Sequence, residues 1–193
     1  MANICGTIYK IVGEEETLKS LNELLGKLLK DKKRYLHQLA ESLGIDYECR
    51  LIHCRGYIDT IELNDEEGRL VLRIDVCSSW TPCTELFEAV NEYYGDKLSI
   101  SWLAIESGCD LYWVHDEESF FPEECCVSSE GELFGDMYEE PFDTISDAID
   151  YWCKKMGIDR NSNMSDEEYI KFIYKYEYED DDTLYHIHKY TQC

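Results

Sequence analysis

The sequence of 193 residues predicts an α+β protein, and three observations support this fold class. Stretches rich in β-branched and aromatic residues, typical of strands, alternate with stretches whose leucines recur every three or four residues, as on one face of a helix. Up to residue 105 these stretches follow the order strand, helix, strand, strand, helix, strand. Hydrophobic residues make up 44% of the chain and aromatic residues 13%, which is enough for a packed core.

The beginning of the chain predicts one strand and two helices. Residues 3–12 are predicted to form a strand that ends at Gly13. A helix is predicted from Glu14, with acids in its first turn, lysines near its end, and one apolar face formed by Leu18, Leu21, Leu25 and Leu28. A second helix is expected after a break near Asp31, and it ends at Gly44, a residue suited to a left-handed cap.

A hairpin and a further helix and strand complete the predicted core. Residues 57–63 and 69–76 are β-rich and are joined by a polar loop that contains Gly68, which predicts a hairpin. Thr81 is predicted to cap the next helix with Pro82 at its first position, and residues 98–105 are predicted to be a strand. This order is that of the split βαβ unit, so the sequence predicts a ferredoxin-like sandwich over residues 1–108.

Residues 109–193 are expected to extend this core within the same domain. A strand at 110–115, an acidic loop at 116–131 and a short strand at 132–138 are predicted first. Thr144 and Asp147 resemble a capping box, and the helix that they begin is predicted to end at Gly157. Apolar residues alternate with more polar ones along 170–178, and 184–190 is again β-rich, so a C-terminal helix and a β-hairpin form the predicted elaboration.

The charge of the chain is strongly acidic and unevenly distributed. There are 18 Lys and Arg against 42 Asp and Glu, which gives a net charge of −24. Residues 74–153 contain 20 of the acids and one base, Lys97. Binding to a phosphate backbone or an anionic membrane depends on Lys and Arg, so the sequence predicts neither a nucleic-acid nor a membrane partner.

The cysteines and the chain start predict a cytoplasmic protein. The first residues show no charged region followed by an apolar one, as a signal peptide would, and no run of 18 apolar residues occurs. The ten cysteines are therefore expected to stay reduced and to act mostly as small core residues.

The concentration of acids predicts a non-enzymatic protein that binds a basic site on another protein. The sharper hypothesis is a DNA mimic or inhibitor of a host nucleic-acid-binding protein, because 20 acids on about a quarter of the surface would approach the charge density of duplex DNA. The predicted partner-binding residues are carboxylates that act together: Asp110, Asp116, Glu117, Glu118, Glu123, Glu124, Glu130, Glu132, Asp136, Glu139 and Glu140. A solvated acidic surface that only keeps the protein soluble is the plainer interpretation.

Other classes of function stay open at this stage. No catalytic motif, cofactor or metal site is predicted, but Glu106, Asp110 and His115 are close in sequence and suit a small enzyme. A metal protein would draw on the cysteines and histidines, which lack paired zinc spacing: Cys49, His53 and Cys54, then Cys125 and Cys126, then His186 and His188. A third hypothesis is a self-associating module that uses the tyrosines of 172–178, and the acids 180–182 are expected to be a solvated hairpin tip.

Three short segments resemble a family of plasmid- and phage-encoded proteins with a YubB-type ferredoxin-like domain. They are Met1-Ala2-Asn3-Ile4-Cys5, Ser79-Trp80-Thr81-Pro82 and Ile105-Glu106-Ser107-Gly108. The sequence lacks the family's Trp-Gly-rich middle segment, and Cys83 stands where a second proline is usual. The resemblance implies a ferredoxin-like fold and a mobile-element origin without catalytic residues. It assigns structural roles, including a helix start packed by an indole, to Cys5, Trp80, Pro82, Glu106 and Gly108.

Overall fold

A computed structural model describes residues 3–66, 68–122, 124–180 and 182–193, and it has a mixed α+β architecture. The described helices are α1 Glu15–Lys30, α2 Leu36–Leu43, α3 Thr84–Tyr93, α4 Ile145–Met156 and α5 Asp166–Ile173. The described strands are β1 Ile4–Gly13, β2 Gly56–Glu66, β3 Arg69–Ser79, β4 Leu98–Glu106, β5 Leu111–His115, β6 Cys125–Glu130, β7 Met137–Phe142, β8 Leu184–Lys189 and β9 Thr191–Gln192. Among the described helices, none is both long enough and apolar enough to cross a membrane.

The chain forms two compact units. Residues 1–121 together with Cys193 make up the first unit, and residues 122–192 make up the second. The boundary therefore follows β5, whereas the sequence places the end of the core at residue 108. The single-domain arrangement stays a prediction.

Five strands of the first unit lie in one sheet in the order β2-β3-β1-β4-β5. All neighbours are antiparallel, and β1 is central: Thr7 lies opposite Val76 of β3 and Ala104 of β4. The predicted succession of strands and helices up to residue 105 is confirmed, and so are the hairpin of β2 with β3 and the break after α1 at Asp31. The predicted left-handed cap at the end of α2 is also confirmed, because Gly44 has a φ of 69°.

The core of the first unit lies between the helices and one face of this sheet. Alternate residues of β1 are buried in the same cluster as the leucines of α1 and α2: Cys5, Tyr9 and Ile11. The Tyr9 ring stacks on Phe87 of α3, with 3.9 Å between ring centroids. Because the leucines recur with the α-helical period of 3.6 residues, they lie on one face of each helix, and that face is buried.

Helix α3 begins two residues later than the sequence predicts. Its N-cap is Cys83 rather than Thr81, and Pro82 precedes the helix. Trp80 has a φ of 73°, so the chain first turns there. The Thr81 carbonyl then accepts a hydrogen bond from Ser78 Oγ at 2.7 Å. This carbonyl is therefore bonded to the preceding strand and does not begin the helical hydrogen-bond pattern.

The second unit contains a three-stranded antiparallel sheet in the order β7-β6-β8 and the helices α4 and α5. Its core includes the fully buried Trp152 and Ile149 of α4 with Tyr185 of β8. The predicted limits of α4 are confirmed: Thr144 Oγ1 accepts from Asp147 N at 3.0 Å, and Gly157 has a φ of 66°.

Three predictions for this unit are wrong. The supposed acidic loop at 116–131 contains the central strand β6, because Cys125, Cys126 and Val127 are apolar and fully buried. The strand expected at 132–138 begins instead at Met137, where β7 pairs with β6. The C-terminal hairpin is absent from the described residues, since β8 pairs with β6.

The segment predicted as the first arm of that hairpin is partly helical. Tyr169, Ile170 and Ile173 are buried on one side of α5. Ser165 caps the helix, since its Oγ accepts from Glu168 N while its own N–H donates to Glu168 Oε2 at 2.8 Å. This capping box begins a helix where the alternation of side chains had suggested a strand.

Candidate functional site

The second unit has a cavity of about 450 Å³ whose polar lining is acidic. Four carboxylates and two phenol rings line it: Glu132, Glu177, Glu179, Asp180, Tyr176 and Tyr178. None of the described Lys, Arg or His side chains lines this cavity, and none forms an ion pair with its four carboxylates in the described residues. Residues 122–192 as a whole carry 19 acids against 6 bases. We call this cavity the acidic cavity.

One wall of the acidic cavity is the segment that joins α5 to β8. Helix α5 ends at Ile173, and Tyr176 N donates to the Ile173 carbonyl at 3.1 Å, which turns the chain. At the far end, Asp180 O accepts from Thr183 N and Asp180 Oδ1 from Asp182 N, each at 3.1 Å. These hydrogen bonds form a turn on each side of the stretch that carries Glu177 and Glu179.

The aromatic part of this wall is held by the core. Trp152 is fully buried, and its Nε1 donates to Tyr178 Oη at 2.8 Å. The Tyr176 ring lies edge-on to Trp152 with 5.3 Å between centroids, and the Tyr178 ring lies edge-on to Phe134 at 5.7 Å. Burial raises the pKa of Tyr178, so its phenol stays neutral and adds no charge to the site.

The opposite wall comes from the turn after β6. Gly131 has a φ of 94°, and its backbone lies against Thr183. This approach places Glu132 and Leu133 beside residues 176–180 and Thr183. Met156 of α4 adds an apolar surface.

The arrangement suits a cationic group. Carboxylates attract an ammonium or guanidinium group, and the faces of tyrosine rings attract it through their quadrupole. In the described residues no set of three or more His, Cys, Asp or Glu side chains is arranged to hold a metal ion. The carboxylates and the tyrosine rings together suit a basic side chain.

The predicted carboxylates of the first unit have differing roles. Asp116 accepts from Phe121 N at 2.7 Å and from Glu118 N at 3.1 Å, so it stabilises its own loop. Glu118 pairs with Arg69 at 2.7 Å, and this hydrogen bond lowers the pKa of Glu118. Glu117 and Asp110 are exposed.

Among the predicted carboxylates of the second unit that the structure describes, only Glu132 lines the acidic cavity. Glu124 Oε2 accepts from Ile145 N at 2.7 Å, at the beginning of α4. Glu139 has a φ of 56° and is half-buried. Glu123 lies outside the described residues, and all the others except Glu139 are exposed.

Sequence reasoning missed the three carboxylates of the cavity's other wall. Glu177, Glu179 and Asp180 fall in the stretch that was assigned to a hairpin. The available signal was the pair of tyrosines among these acids, Tyr176 and Tyr178, because aromatic residues are enriched at protein interfaces. Asp181 of the same acidic run lies outside the described residues.

The residues suggested for an enzyme do not meet. Glu106 lies opposite Leu111 at one end of the β4–β5 pair, whereas His115 lies opposite Trp102. Four residues of strand separate these positions, which is about 13 Å. His115 Nδ1 hydrogen-bonds the Cys193 carbonyl at 2.7 Å, and Asp110 has a φ of 54° after the 3₁₀ turn Ser107–Cys109.

The suggested metal ligands are likewise dispersed. His53 Nδ1 lies 3.7 Å from Cys83 Sγ, and His188 Nε2 lies 3.2 Å from Ser128 Oγ. Burial raises the pKa of Cys125 to about 12 and that of Cys126 to about 11, so both are neutral thiols. All ten cysteines are free.

The described parts of the three segments that resemble the YubB-type family lie together. Trp80 N donates to the Asn3 carbonyl at 3.0 Å, and Gly6 lies opposite Ile105. Cys5 and Pro82 are buried, but the Trp80 side chain is 50% exposed and so does not form the expected packed helix start. Met1 and Ala2 lie outside the described residues.

Glu106 and Gly108 belong to a small polar cluster beside these segments. Glu106 is 3% exposed, and its Oε2 has no hydrogen-bond partner in the described residues. The Cys109 thiol donates to the Glu106 carboxylate, which is the main reason that its pKa is raised. Asn3 Nδ2 donates to Cys109 Sγ at 3.2 Å. A β-carbon on Gly108 would lie 2.9 Å from Glu106 Oε1, so a larger residue there would displace that carboxylate.

The chain matches no protein-family model, no curated protein sequence and no solved structure.

Proposed function

We propose that this is a non-enzymatic, highly acidic binding protein that engages a basic site on another protein through the acidic cavity. The observation that carries the proposal is the set of four carboxylates, Glu132, Glu177, Glu179 and Asp180, around a cavity without a cation from the described residues. A lysine or arginine of the partner supplies the missing charge.

The energetics favour such a partner. A hydrogen bond to a charged group contributes about 1.5–3 kcal/mol, and a cation over a tyrosine face adds about 0.5–1 kcal/mol at an exposed site. The fixed rings of Tyr176 and Tyr178 reduce the entropy lost on binding, because they are already ordered by Trp152. The remaining acids of this unit steer a basic partner towards it.

The narrower version of the proposal is a DNA mimic that inhibits a host nucleic-acid-binding protein. The 20 acids of residues 74–153 support it, because duplex DNA also presents a dense row of negative charges, about one per 1.7 Å of axis. A mimic competes with duplex DNA for the same basic protein, whereas a binder of another basic site does not.

The fold and origin of the chain belong to the same proposal. We take the first unit to be a ferredoxin-like domain, supported by the order β2-β3-β1-β4 around a central β1, with β5 as an additional strand. The YubB-type resemblance, with its mobile-element origin, is supported by the proximity of Asn3, Trp80 and Ile105. A cytoplasmic location is proposed from the ten free cysteines.

The test uses an arginine-rich peptide of about ten residues, the length of a short basic segment, as the probe, with binding measured by calorimetry over a range of salt. The test variant neutralises Glu132→Gln, Glu177→Gln and Glu179→Gln in the acidic cavity. The control variant neutralises three exposed carboxylates of the same unit that do not line it, Glu140→Gln, Asp143→Asn and Asp159→Asn. Both variants change the net charge by the same amount.

We expect the cavity variant to weaken peptide binding about tenfold and the control to weaken it much less, because close charge pairs outweigh distant screened ones. Binding should also weaken steeply with salt. Equal effects of the two variants would show that only the general acidity matters, and binding that is insensitive to salt would contradict the proposal altogether.

A further inference from the structure

The first unit has a second cavity, of about 630 Å³, with the opposite electrostatic character. Its lining includes the side chains of Tyr35, His37, Tyr47, His53 and Arg55, and it contains no carboxylate. A volume of this size is typical of sites for small organic ligands and far exceeds that of a single inorganic ion. We call it the basic cavity.

The chain beside the basic cavity carries unpaired positive charge. Lys32, Lys33 and Arg34 are exposed in the connection that leads from α1 into Tyr35. Within the described residues, neither these three nor Arg55 forms an ion pair with a carboxylate. Because the chain has a net charge of −24, a cluster of cations without acidic partners stands out from its surroundings.

Neighbouring acids act on two residues of the lining, Tyr47 and Cys54, but do not pair with Arg55 in the described residues. Glu48 and Glu41 contribute to the raised pKa of Tyr47, and Glu85 contributes to that of Cys54. In each case burial is the larger cause. These carboxylates leave the Arg55 guanidinium unpaired, so it retains its hydrogen-bond donors for an anion.

The aromatic residues of the basic cavity offer planar surfaces. The rings of Tyr35 and His37 are nearly parallel, with 16° between their planes and 5.7 Å between centroids. Tyr35 is 52% exposed and lines the cavity together with His37, so a ligand has access to this pair. Nearby, the Arg34 guanidinium lies 4.4 Å from the centre of the Tyr57 ring, which orders this cation.

The position of His53 is also defined by the core. Its Nδ1 lies 3.7 Å from Cys83 Sγ. Burial raises the pKa of Cys83 to about 12, so the thiol keeps its proton near neutral pH. When the thiol donates to Nδ1, the proton of the imidazole is on Nε2 and is available as a further donor.

We propose that the basic cavity binds a mononucleotide, that is, a planar ring joined to a phosphate. Arginine matches phosphate with two parallel hydrogen bonds, and the Tyr35–His37 pair provides a stacking surface for the base. A longer nucleic acid is disfavoured, because its further phosphates would meet a unit that has 23 acids and 12 bases. The site is independent of the acidic cavity, which lies in the other unit.

The first experiment compares ligands on the full chain by calorimetry. Adenosine 5′-monophosphate is expected to bind. Adenosine lacks the phosphate and inorganic phosphate lacks the planar base, so each should bind at least about tenfold more weakly. Binding of adenosine as tight as that of the monophosphate would overturn the proposal, and so would the absence of binding at millimolar monophosphate. A single-stranded oligonucleotide that binds more tightly than the monophosphate would replace it with a nucleic-acid site.

The second experiment uses matched arginine variants. Arg55→Ala should weaken monophosphate binding about tenfold, the usual effect of losing a charge-assisted hydrogen bond. Arg50→Ala removes the same charge from the same loop, but Arg50 pairs with Glu92 at 2.8 Å and does not line the cavity, so it should change binding less than about twofold. Equal losses in both variants would contradict the proposed site, and the triple cavity variant of the other unit should leave monophosphate binding unchanged.

Discussion

Gly131 approaches Thr183 so closely that a β-carbon on residue 131 would lie 2.6 Å from Thr183 Oγ1 and 3.0 Å from Thr183 Cα. The neighbouring pair Glu130 and Leu184 is the last pair of the β6–β8 ladder. The end of this ladder therefore brings the turn after β6 against the acidic segment before β8. One wall of the acidic cavity depends on residue 131 being glycine.

Gly131→Ala should destabilise the second unit by about 3 kcal/mol, because it combines a strained positive φ with a steric clash. Urea unfolding followed by tryptophan fluorescence measures the change. Gly135→Ala is the matched control: Gly135 also has a positive φ, of 78°, but a β-carbon there would meet nothing within 4 Å. We expect the control variant to lower the free energy of unfolding by about 1 kcal/mol. If the two variants were equally destabilised, the clash of the new β-carbon with Thr183 would have been relieved by a local shift.

Tyr178→Phe should cost about 1–3 kcal/mol, because it removes the acceptor of Trp152 Nε1 and leaves a buried donor without a partner. Tyr176→Phe is the comparison, since Tyr176 contacts Trp152 through its ring. That second variant should change the free energy of unfolding by less than about 0.5 kcal/mol. If both variants have the same stability, the hydrogen bond does not stabilise the cavity wall.

The ion pair of Glu118 with Arg69 predicts a pH dependence of stability. In the folded state the pKa of Glu118 lies below its ordinary value of 4.5, chiefly because of the hydrogen bond from Arg69. The pair therefore stabilises the fold above pH 4.5. The contribution is lost as the pH falls through the lowered pKa, because the unfolded state then binds the proton more readily than the folded one. It is expected to be about 1 kcal/mol, since both partners are partly exposed.

Glu118→Gln tests this contribution. Urea unfolding should show the variant to be less stable than the wild type near neutral pH, with a difference that narrows in acid. Glu117→Gln, at the exposed neighbouring position, should show no such pH-dependent difference. A constant difference at every pH would mean that the charge of Glu118 is not responsible.

The Cys109 thiol is exposed, yet its reactivity is expected to be low. The Glu106 carboxylate raises its pKa, and the thiolate is the nucleophilic form. Glu106→Gln should therefore speed the alkylation of Cys109 by iodoacetamide several-fold at neutral pH, measured by peptide mass spectrometry. Cys49 is the internal control, because its raised pKa depends on Asp46. A faster reaction at both cysteines would indicate a general loosening of the fold instead.

The elements that the sequence predicts correctly are those with one dominant local signal. Helix α1 shows the leucine spacing over about three turns, and the cap of α4 at Thr144 needs only residues within one turn. Helix α5 was missed because residues 170–178 fit two periods at once. Alternation suggested a strand, while Tyr169, Ile170 and Ile173 also form a helical face. Packing around Trp152 selects the helix, and local pattern alone does not rank the two.

The sequence by itself determined the acidic balance and the order of strands and helices in the first unit, because each follows from composition or from neighbouring residues. Only the tertiary structure decided where the two cavities lie. Glu132 and Glu177 are 45 residues apart, and the ladder between β6 and β8 joins their segments. Strand pairing of this kind depends on hydrogen bonds and side-chain packing between distant segments, which local propensities do not specify.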